Sequence, residues 1–179
     1  SSTSVSLGLG FSRARDIKGL DYNVISVIGD GAMTGGMAFE ALNDLGTSHT
    51  KMIVILNDNN MSISRNVGGM SQYLSRVRLS RKYASLKLKT VKIAKQMPFI
   101  GSKLAGLLES ARDKLKFALV GGKIFEQLGL KYIGAIDGHN IEVLIDFLEH
   151  VKLMDEPVVL HIATVKGKGM PLAERNPEQ

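Results

Sequence analysis

Two short apolar segments, each followed by small or polar residues, dominate the first third of the chain. Residues 24–28 and 52–56 are rich in β-branched side chains, and glycine, aspartate or asparagine follows each segment. Continuous apolar runs of this length are typical of strands that are buried on both faces of a parallel sheet. The pattern therefore predicts two buried parallel strands, each ending in a polar loop.

Between these two strands the apolar positions change to a helical period. The helix can begin at Thr34 or at the glycine pair 35–36, and Gly46 suits its end. The apolar residues that recur at the helical spacing are Met37, Ala38, Ala41, Leu42 and Leu45. A strand, a helix and a strand in this order predict one βαβ crossover.

The second half of the chain continues this alternation. Helices are predicted over residues 110–117 and 124–128, with Gly129 ending the second, and strands over residues 132–136 and 158–165. A further helix is predicted with Ile141, Leu144, Ile145 and Leu148 on its apolar face. We therefore expect an α/β fold with a doubly wound, mostly parallel sheet flanked by helices.

Residues with hard oxygen atoms follow both early strands. Parallel strands end at one edge of their sheet, and ligands of such folds bind there. Asp30 can offer a carboxylate oxygen, Asn59 an amide oxygen and Met61 its backbone carbonyl. Magnesium prefers about six oxygen ligands and commonly takes several from phosphates and water. The sequence therefore predicts a site for Mg²⁺ and a diphosphate.

The small residues beside Asp30 fit the same ligand. Gly31 and Ala32 lack bulk, so the backbone can approach a phosphate near the N-terminus of the following helix. The glycines miss the spacing of a dinucleotide fingerprint, and no Gly-Lys-Ser/Thr sequence completes a nucleotide-binding P-loop. Asp58 is expected to be a loop or helix-capping residue rather than a third ligand.

A glycine loop with two lysines, residues 166–170, follows the last predicted strand. Its lysines suit a diphosphate, and a solvated lysine turn is the alternative. His139, in the turn at residues 137–140, could face the cleft, but a histidine bonded to the backbone is favoured. The remaining histidines show no mutual spacing for a metal ion.

Length and composition agree with one globular domain. The chain has 179 residues, 44% of them hydrophobic, which suffices for a sizeable core. It contains no cysteine, which is compatible with a cytoplasmic location. It has no apolar run of about 18 residues and no basic and apolar leader, so neither a membrane span nor a signal peptide is predicted.

The net charge of +6 originates mainly between residues 59 and 108, a segment without any acidic residue. Such a basic segment can bind nucleic acid or an anionic membrane. Its aromatic residues, Tyr73, Tyr83 and Phe99, are few for a surface that stacks bases. We expect a basic mobile insertion around residues 65–105, and a nucleic-acid-binding module on the same fold is the alternative.

Five segments resemble the family of 1-deoxy-D-xylulose-5-phosphate synthases. They are residues 1–4, 29–34, 36–41, 57–64 and 137–139, and the Gly-Asp-Gly and Asn-Asp-Asn sequences within them form the thiamine diphosphate motif. The resemblance runs over nearly the whole chain and implies the thiamine diphosphate-binding fold. Other transketolase-like enzymes and the E1 components of keto acid dehydrogenases share the metal motif and are the alternatives within this class.

The resemblance implies a transferase that condenses pyruvate with glyceraldehyde 3-phosphate, with loss of carbon dioxide, on a route to isoprenoids and thiamine. It assigns Mg²⁺ to Asp30, Asn59 and the Met61 carbonyl, and it places Ile63 beneath the thiazolium ring. Met170 departs from the relatives, which commonly carry an aromatic residue there. The residues placed at the cofactor are Ser1, Asp30, Gly31, Ala32, Asn59, Met61, Ile63, Lys168 and Met170.

The resemblance also implies that residues 1–179 form a single incomplete cofactor-binding domain. The relatives carry active-site histidines, the glutamate that activates the cofactor and the phosphate-binding arginines outside the resembled stretch. The catalytic residues are therefore unknown, and we expect the isolated chain to be inactive. The implied partners are the two substrates, the missing remainder of the polypeptide and a second copy in a homodimer. The implied location is the bacterial cytoplasm, or the plastid in a plant.

Overall fold

The computed structural model describes residues 2–59, 69–70, 72–74, 76 and 123–175. The helices in this part of the chain include α1 (Ser4–Ile17), α2 (Gly36–Ser48), α3 (Lys123–Gln127), α4 (Ile141–Val151) and α5 (Pro171–Arg175). The strands are β1 (Ile25–Gly29), β2 (Ile53–Asp58), β3 (Lys131–Asp137) and β4 (Val158–Ala163), and a 3₁₀ turn spans Ala32–Thr34. No helix among these residues is long and apolar enough to cross a membrane.

The described strands form one sheet in the order β1-β2-β4-β3, with every neighbouring pair parallel. The register pairs Gly29 with Asn57, and it pairs both Asp58 and Asp137 with Ala163. The loops that follow these strands therefore begin at the same edge of the sheet. The predicted α/β fold with a parallel sheet is confirmed.

Two apolar clusters cover the two faces of the sheet. In the larger cluster, side chains of α1, α2 and α3 pack against Leu56 of β2 and Val159 of β4. In the smaller cluster, Val151 of α4 packs against Ile53 and Val158. Successive strand residues point to opposite faces, so α2 and α4 lie on opposite sides of the sheet.

The predicted strands agree with the observed ones to within two residues. β2 continues to Asp58 instead of ending at residue 56, and β4 ends at Ala163 instead of residue 165. The prediction of a helix over residues 110–117 lies outside the described residues. The predicted basic insertion around residues 65–105 also lies outside them for most of its length.

The prediction that α2 ends at Gly46 is wrong. The helix continues to Ser48 and is followed by His49 in the left-handed conformation, with φ 51°. Gly46 is buried inside the helix, where a Cβ atom would overlap the carbonyl oxygen of Leu128. This glycine therefore permits close packing of α2 against the turn after α3 and does not terminate the helix.

The predicted apolar face of α4 is also partly wrong. Ile141 and Ile145 are 64% and 52% exposed, although both lie in the predicted stripe. Apolar residues cover a wide arc of this helix, so their spacing does not show which part of the arc meets the sheet. The residues on the more buried side of the helix are Val143, Leu144, Phe147, Leu148 and Val151.

Replacement of Gly46 by alanine should destabilise the fold, because the new methyl group meets backbone that cannot rotate away. We expect a loss of roughly 2 kcal/mol in the free energy of unfolding, as for other overpacked sites. Urea denaturation of the two chains measures this difference. The control is Gly36→Ala at the first position of α2, where a Cβ atom meets nothing within 4 Å and should cause no loss. Equal losses in both variants would contradict the packing role.

Candidate functional site

The loops after β1 and β2 begin side by side at the carboxyl edge of the sheet. Asp30 is only 5% exposed, and its N–H donates to the Asn57 carbonyl at 3.1 Å. Asn59 directly follows the last residue of β2. Neighbouring strands lie about 5 Å apart, so the structure brings these two candidate magnesium ligands to adjacent strand ends.

The chemistry of this edge fits a hard divalent cation bound together with a diphosphate. Asp30 supplies a carboxylate and Asn59 an amide oxygen, and both are ligand types that Mg²⁺ accepts. Within the described residues no group of three or more His, Cys, Asp or Glu side chains could hold a metal ion alone. Met61, the third predicted ligand, lies outside the described residues, as do Ser1 and Ile63.

The turn after β1 is tied to the segment that precedes α1. The Ser2 hydroxyl donates to the Ala32 carbonyl at 2.7 Å, and the Thr34 hydroxyl donates to the Gly31 carbonyl at the same distance. A Cβ atom on Gly35 would overlap the Ser2 hydroxyl oxygen. Ser2 and the Gly31–Ala32 turn, which is predicted to contact the cofactor, are therefore neighbours.

The end of β4 holds the end of β2 through two hydrogen bonds. The Thr164 N–H donates to the Asp58 carbonyl at 2.9 Å, and the Thr164 hydroxyl donates to the Asn57 side-chain oxygen at 2.7 Å. The backbone that leads into Asn59 is thus anchored to the neighbouring strand. No local sequence pattern predicts the contact between Thr164 and Asn57, because only the strand pairing brings them together.

Asp58 is not the loop or capping residue that the sequence predicts. It is the last residue of β2, it is fully buried, and its Oδ2 lies 3.0 Å from His161 Nε2. His161 is also fully buried, and its Nδ1 lies 2.6 Å from the Tyr132 hydroxyl. Asp58 and His161 are 103 positions apart, so no local pattern could reveal the pair. The prediction is wrong because Asp58 lies between two polar residues, Asn57 and Asn59, as is typical of a turn.

Aromatic rings extend this hydrogen-bonded group through the core. The Tyr132 ring stacks on Phe125 with centroids 5.4 Å apart, and Tyr73 meets Phe125 edge-on at 6.4 Å. The Tyr73 hydroxyl accepts a hydrogen bond from the Ile124 N–H. Burial raises the pKa of Tyr73 above its usual value; the bond to Ile124 opposes this shift and the Glu126 charge adds to it. The polar groups behind the carboxyl edge therefore lie in a packed, largely apolar environment.

The loop after β4 is joined to the turn after β3 by His139. The Val165 N–H donates to His139 Nε2 at 2.8 Å, and the His139 N–H donates to Asp137 Oδ1 at 2.9 Å. His139 is therefore bonded to the backbone, as the sequence favours. Its ring therefore links the turn after β3 to Val165, just before the loop at residues 166–170.

The lysine loop itself is exposed. The Lys168 side chain is 53% exposed, and its Nζ lies 3.9 Å from Glu174 Oε1. The same carboxylate oxygen accepts the Gly169 N–H at 2.8 Å. Met170 is 58% exposed. An anion at Lys168 would therefore compete with Glu174 for the ammonium group.

Two solved structures share this fold. A transketolase from Campylobacter jejuni superimposes with a TM-score of 0.53 at 18% identity, covering 91% of this chain and 19% of that chain. A Mycobacterium smegmatis protein described as a thiamin diphosphate-dependent enzyme gives a TM-score of 0.50 at 16% identity, covering 90% of this chain and 22% of that chain. The chain therefore has the α/β fold found in thiamine diphosphate-dependent enzymes.

Sequence comparison narrows this class to one family. The family model for 1-deoxy-D-xylulose-5-phosphate synthase matches residues 1–164, and the chain belongs to that family. The 1-deoxy-D-xylulose-5-phosphate synthase of Clostridium tetani is 53% identical over 179 residues. That match covers 100% of this chain and 29% of the relative, so the chain spans less than a third of the relative's length.

Replacement of His139 by alanine should release the start of the lysine loop, because the Val165 N–H loses its acceptor. Loss of one hydrogen bond should accelerate exchange of the Val165 amide hydrogen about fivefold. Hydrogen exchange followed by NMR measures this rate. The control is His150→Ala, which removes an exposed histidine near the other end of α4 and should leave Val165 unchanged. Unchanged exchange in His139→Ala would contradict the proposed link.

Proposed function

We propose that this chain is the diphosphate- and magnesium-binding part of a 1-deoxy-D-xylulose-5-phosphate synthase. The observation that supports this most strongly is the position of Asp30 and Asn59 at the carboxyl ends of adjacent parallel strands, in a chain of this family. The whole enzyme would condense pyruvate with glyceraldehyde 3-phosphate and release carbon dioxide. Its product would enter the synthesis of isoprenoids and thiamine.

Three residues of the chain would hold the metal ion. The Asp30 carboxylate, the Asn59 amide oxygen and the Met61 carbonyl would bind Mg²⁺, with diphosphate and water oxygens completing the shell. Because Asp30 is nearly buried, its attraction to the ion is screened less by water than it would be at the surface. The metal would in turn attach the diphosphate to the ends of β1 and β2.

The remaining proposed contacts surround the diphosphate and the thiazolium ring. Gly31 and Ala32 would let the backbone approach the diphosphate. Ser1 is also proposed to contact the cofactor. Ile63 would support the ring from beneath. The residues proposed for the outer rim of the site are Lys168 and Met170, in the exposed loop after β4.

The division of chemical roles follows from this arrangement. When bound, thiamine diphosphate supplies a carbanion at its thiazolium carbon and accepts electrons during decarboxylation. The residues of this chain bind and orient the diphosphate end, and Lys168 offsets part of the diphosphate charge. We assign no proton transfer to them, so the catalytic acid and base residues belong to the remainder of the enzyme. For that reason the chain alone should not turn over substrate.

The organisation of the protein follows from the same proposal. Residues 1–179 would form one incomplete cofactor-binding domain, with a basic insertion around residues 65–105. Its partners would be the remainder of the polypeptide and a second copy in a homodimer. Its location would be the bacterial cytoplasm, because the matched relatives are bacterial.

Binding of thiamine diphosphate should depend on Mg²⁺ and on both proposed side-chain ligands. In calorimetric titration of the chain, Asp30→Ala and Asn59→Ala should each weaken binding at least about tenfold. A loss of about tenfold is the smallest that is typical when a residue outside the ligand shell of a metal is replaced, and a direct ligand should matter at least as much. Circular dichroism shows whether each variant is folded. The matched control is Asp146→Ala, which removes an exposed carboxylate from α4. Unchanged binding in both ligand variants would refute the metal assignment.

Activity can be tested by placing the chain in a longer relative. The chain aligns over its whole length with the Clostridium tetani synthase, so it can replace the matching segment. We expect this chimera to form 1-deoxy-D-xylulose 5-phosphate from pyruvate and glyceraldehyde 3-phosphate, and we expect Asp30→Ala to remove nearly all of that activity. A folded chimera without activity would count against the proposal. Turnover by the 179-residue chain alone would show that the division of roles is wrong.

A further inference from the structure

We infer that the buried Asp58–His161 pair, extended by Tyr132, positions Asn59 for metal binding. The inference rests on the proposed function, since it takes Asn59 as a magnesium ligand. None of these three residues is placed at the metal or the cofactor. Each would act through the backbone of β2, so they are positioning residues and not catalytic ones.

The first step is the burial of the pair. Asp58 and His161 are both fully buried, and their side chains meet at 3.0 Å. A buried carboxylate is costly unless it is paired and hydrogen-bonded. The two polar contacts of the imidazole are satisfied together when the Tyr132 O–H donates to Nδ1 and Nε2–H donates to Asp58. This arrangement gives the ring one orientation.

The second step connects the pair to Asn59. Residue 58 is held twice, because its carboxylate meets His161 and its carbonyl accepts the Thr164 N–H at 2.9 Å. That carbonyl belongs to the peptide group that joins Asp58 to Asn59. The first contact comes from His161 of β4, and the second comes from Thr164, the residue directly after β4. The direction in which Asn59 leaves the sheet is therefore determined by this strand and the residue that follows it.

The third step is that His161 is itself held by β3. Gly134 has φ 130°, and a Cβ atom there would overlap the carbonyl oxygen of His161. The register of β3 against β4 also shifts between Gly134 and Ile136. The backbone of β3 thus lies against the His161 backbone, while Tyr132 from the same strand meets its ring. Strands β3 and β4 thus support the His161 imidazole, and this ring in turn orients the end of β2.

A purely structural role predicts a different outcome from a positioning role. If the pair only stabilises the core, its loss should lower the melting temperature without changing metal affinity in molecules that remain folded. If the pair positions Asn59, metal affinity should fall even where stability is matched by a control. Outer partners of metal ligands typically change affinity about 10–100-fold when they are replaced.

The test is binding of Mn²⁺, which accepts the same oxygen ligands as Mg²⁺, to the full chain in the presence of thiamine diphosphate. Paramagnetic resonance reports free Mn²⁺ directly and does not depend on turnover. His161→Phe should weaken Mn²⁺ binding about tenfold or more. His161→Gln retains a donor for Asp58 and should restore most of this loss.

Two further variants keep the test decisive if His161→Phe does not fold. Tyr132→Phe removes one hydroxyl, preserves the ring that stacks on Phe125, and should weaken Mn²⁺ binding about threefold to fivefold. Val159→Ala, on the same buried face of β4, is the control. It should lower the melting temperature and leave Mn²⁺ affinity unchanged.

The outcomes separate this inference from the proposed function. Weaker Mn²⁺ binding in Tyr132→Phe and His161→Phe, with unchanged affinity in Val159→Ala, would support the inference. Affinities equal to that of the unsubstituted chain in both variants would overturn the inference and leave the proposed function standing. Failure of the unsubstituted chain to bind Mn²⁺ with thiamine diphosphate would overturn the proposed function, and the inference with it.

Discussion

The parallel pairing of β2 with β4 is the interaction on which the candidate site depends. Its register sets Asp58 opposite Ala163, and the residues just beyond these two, Asn59 and Thr164, therefore leave the sheet together. β1 pairs with the other side of β2 and brings Asp30 to the same edge. The two pairings together fix the end of β2 relative to its neighbouring strands.

The pairing is reinforced by polar contacts that a sheet does not require. Thr164 bonds to Asn57 through its side chain and to Asp58 through its backbone, and His161 bonds to the Asp58 carboxylate. A buried carboxylate and its hydrogen-bond partner contribute little net stability compared with apolar packing, because both polar groups lose their hydration. Its geometric effect is larger, since a buried polar pair tolerates few alternative arrangements. Such contacts suit a place where the direction of one side chain matters.

Much of the fold could be predicted from residue patterns, while the errors share one cause. The strands were located to within two residues because β-branched runs ended by glycine, aspartate or asparagine are a local signal. The predicted end of α2 at Gly46 is wrong because the role of this glycine is contact with Leu128, far along the chain. The predicted apolar face of α4 is partly wrong because several apolar stripes fit the same helical period, and only docking on the sheet selects one.

The same division applies to the candidate site. The chemical nature of Asp30 and Asn59, and their places just after two buried strands, depend on nearby residues alone, so composition and spacing were sufficient. The partnership of Asp58 with His161 spans 103 positions and exists only because β4 lies beside β2. Strand order is set by the burial of whole surfaces and not by any short segment. The residues predicted to bind the metal ion could therefore be named from local sequence, whereas the residues proposed to orient them are identified only from the assembled sheet.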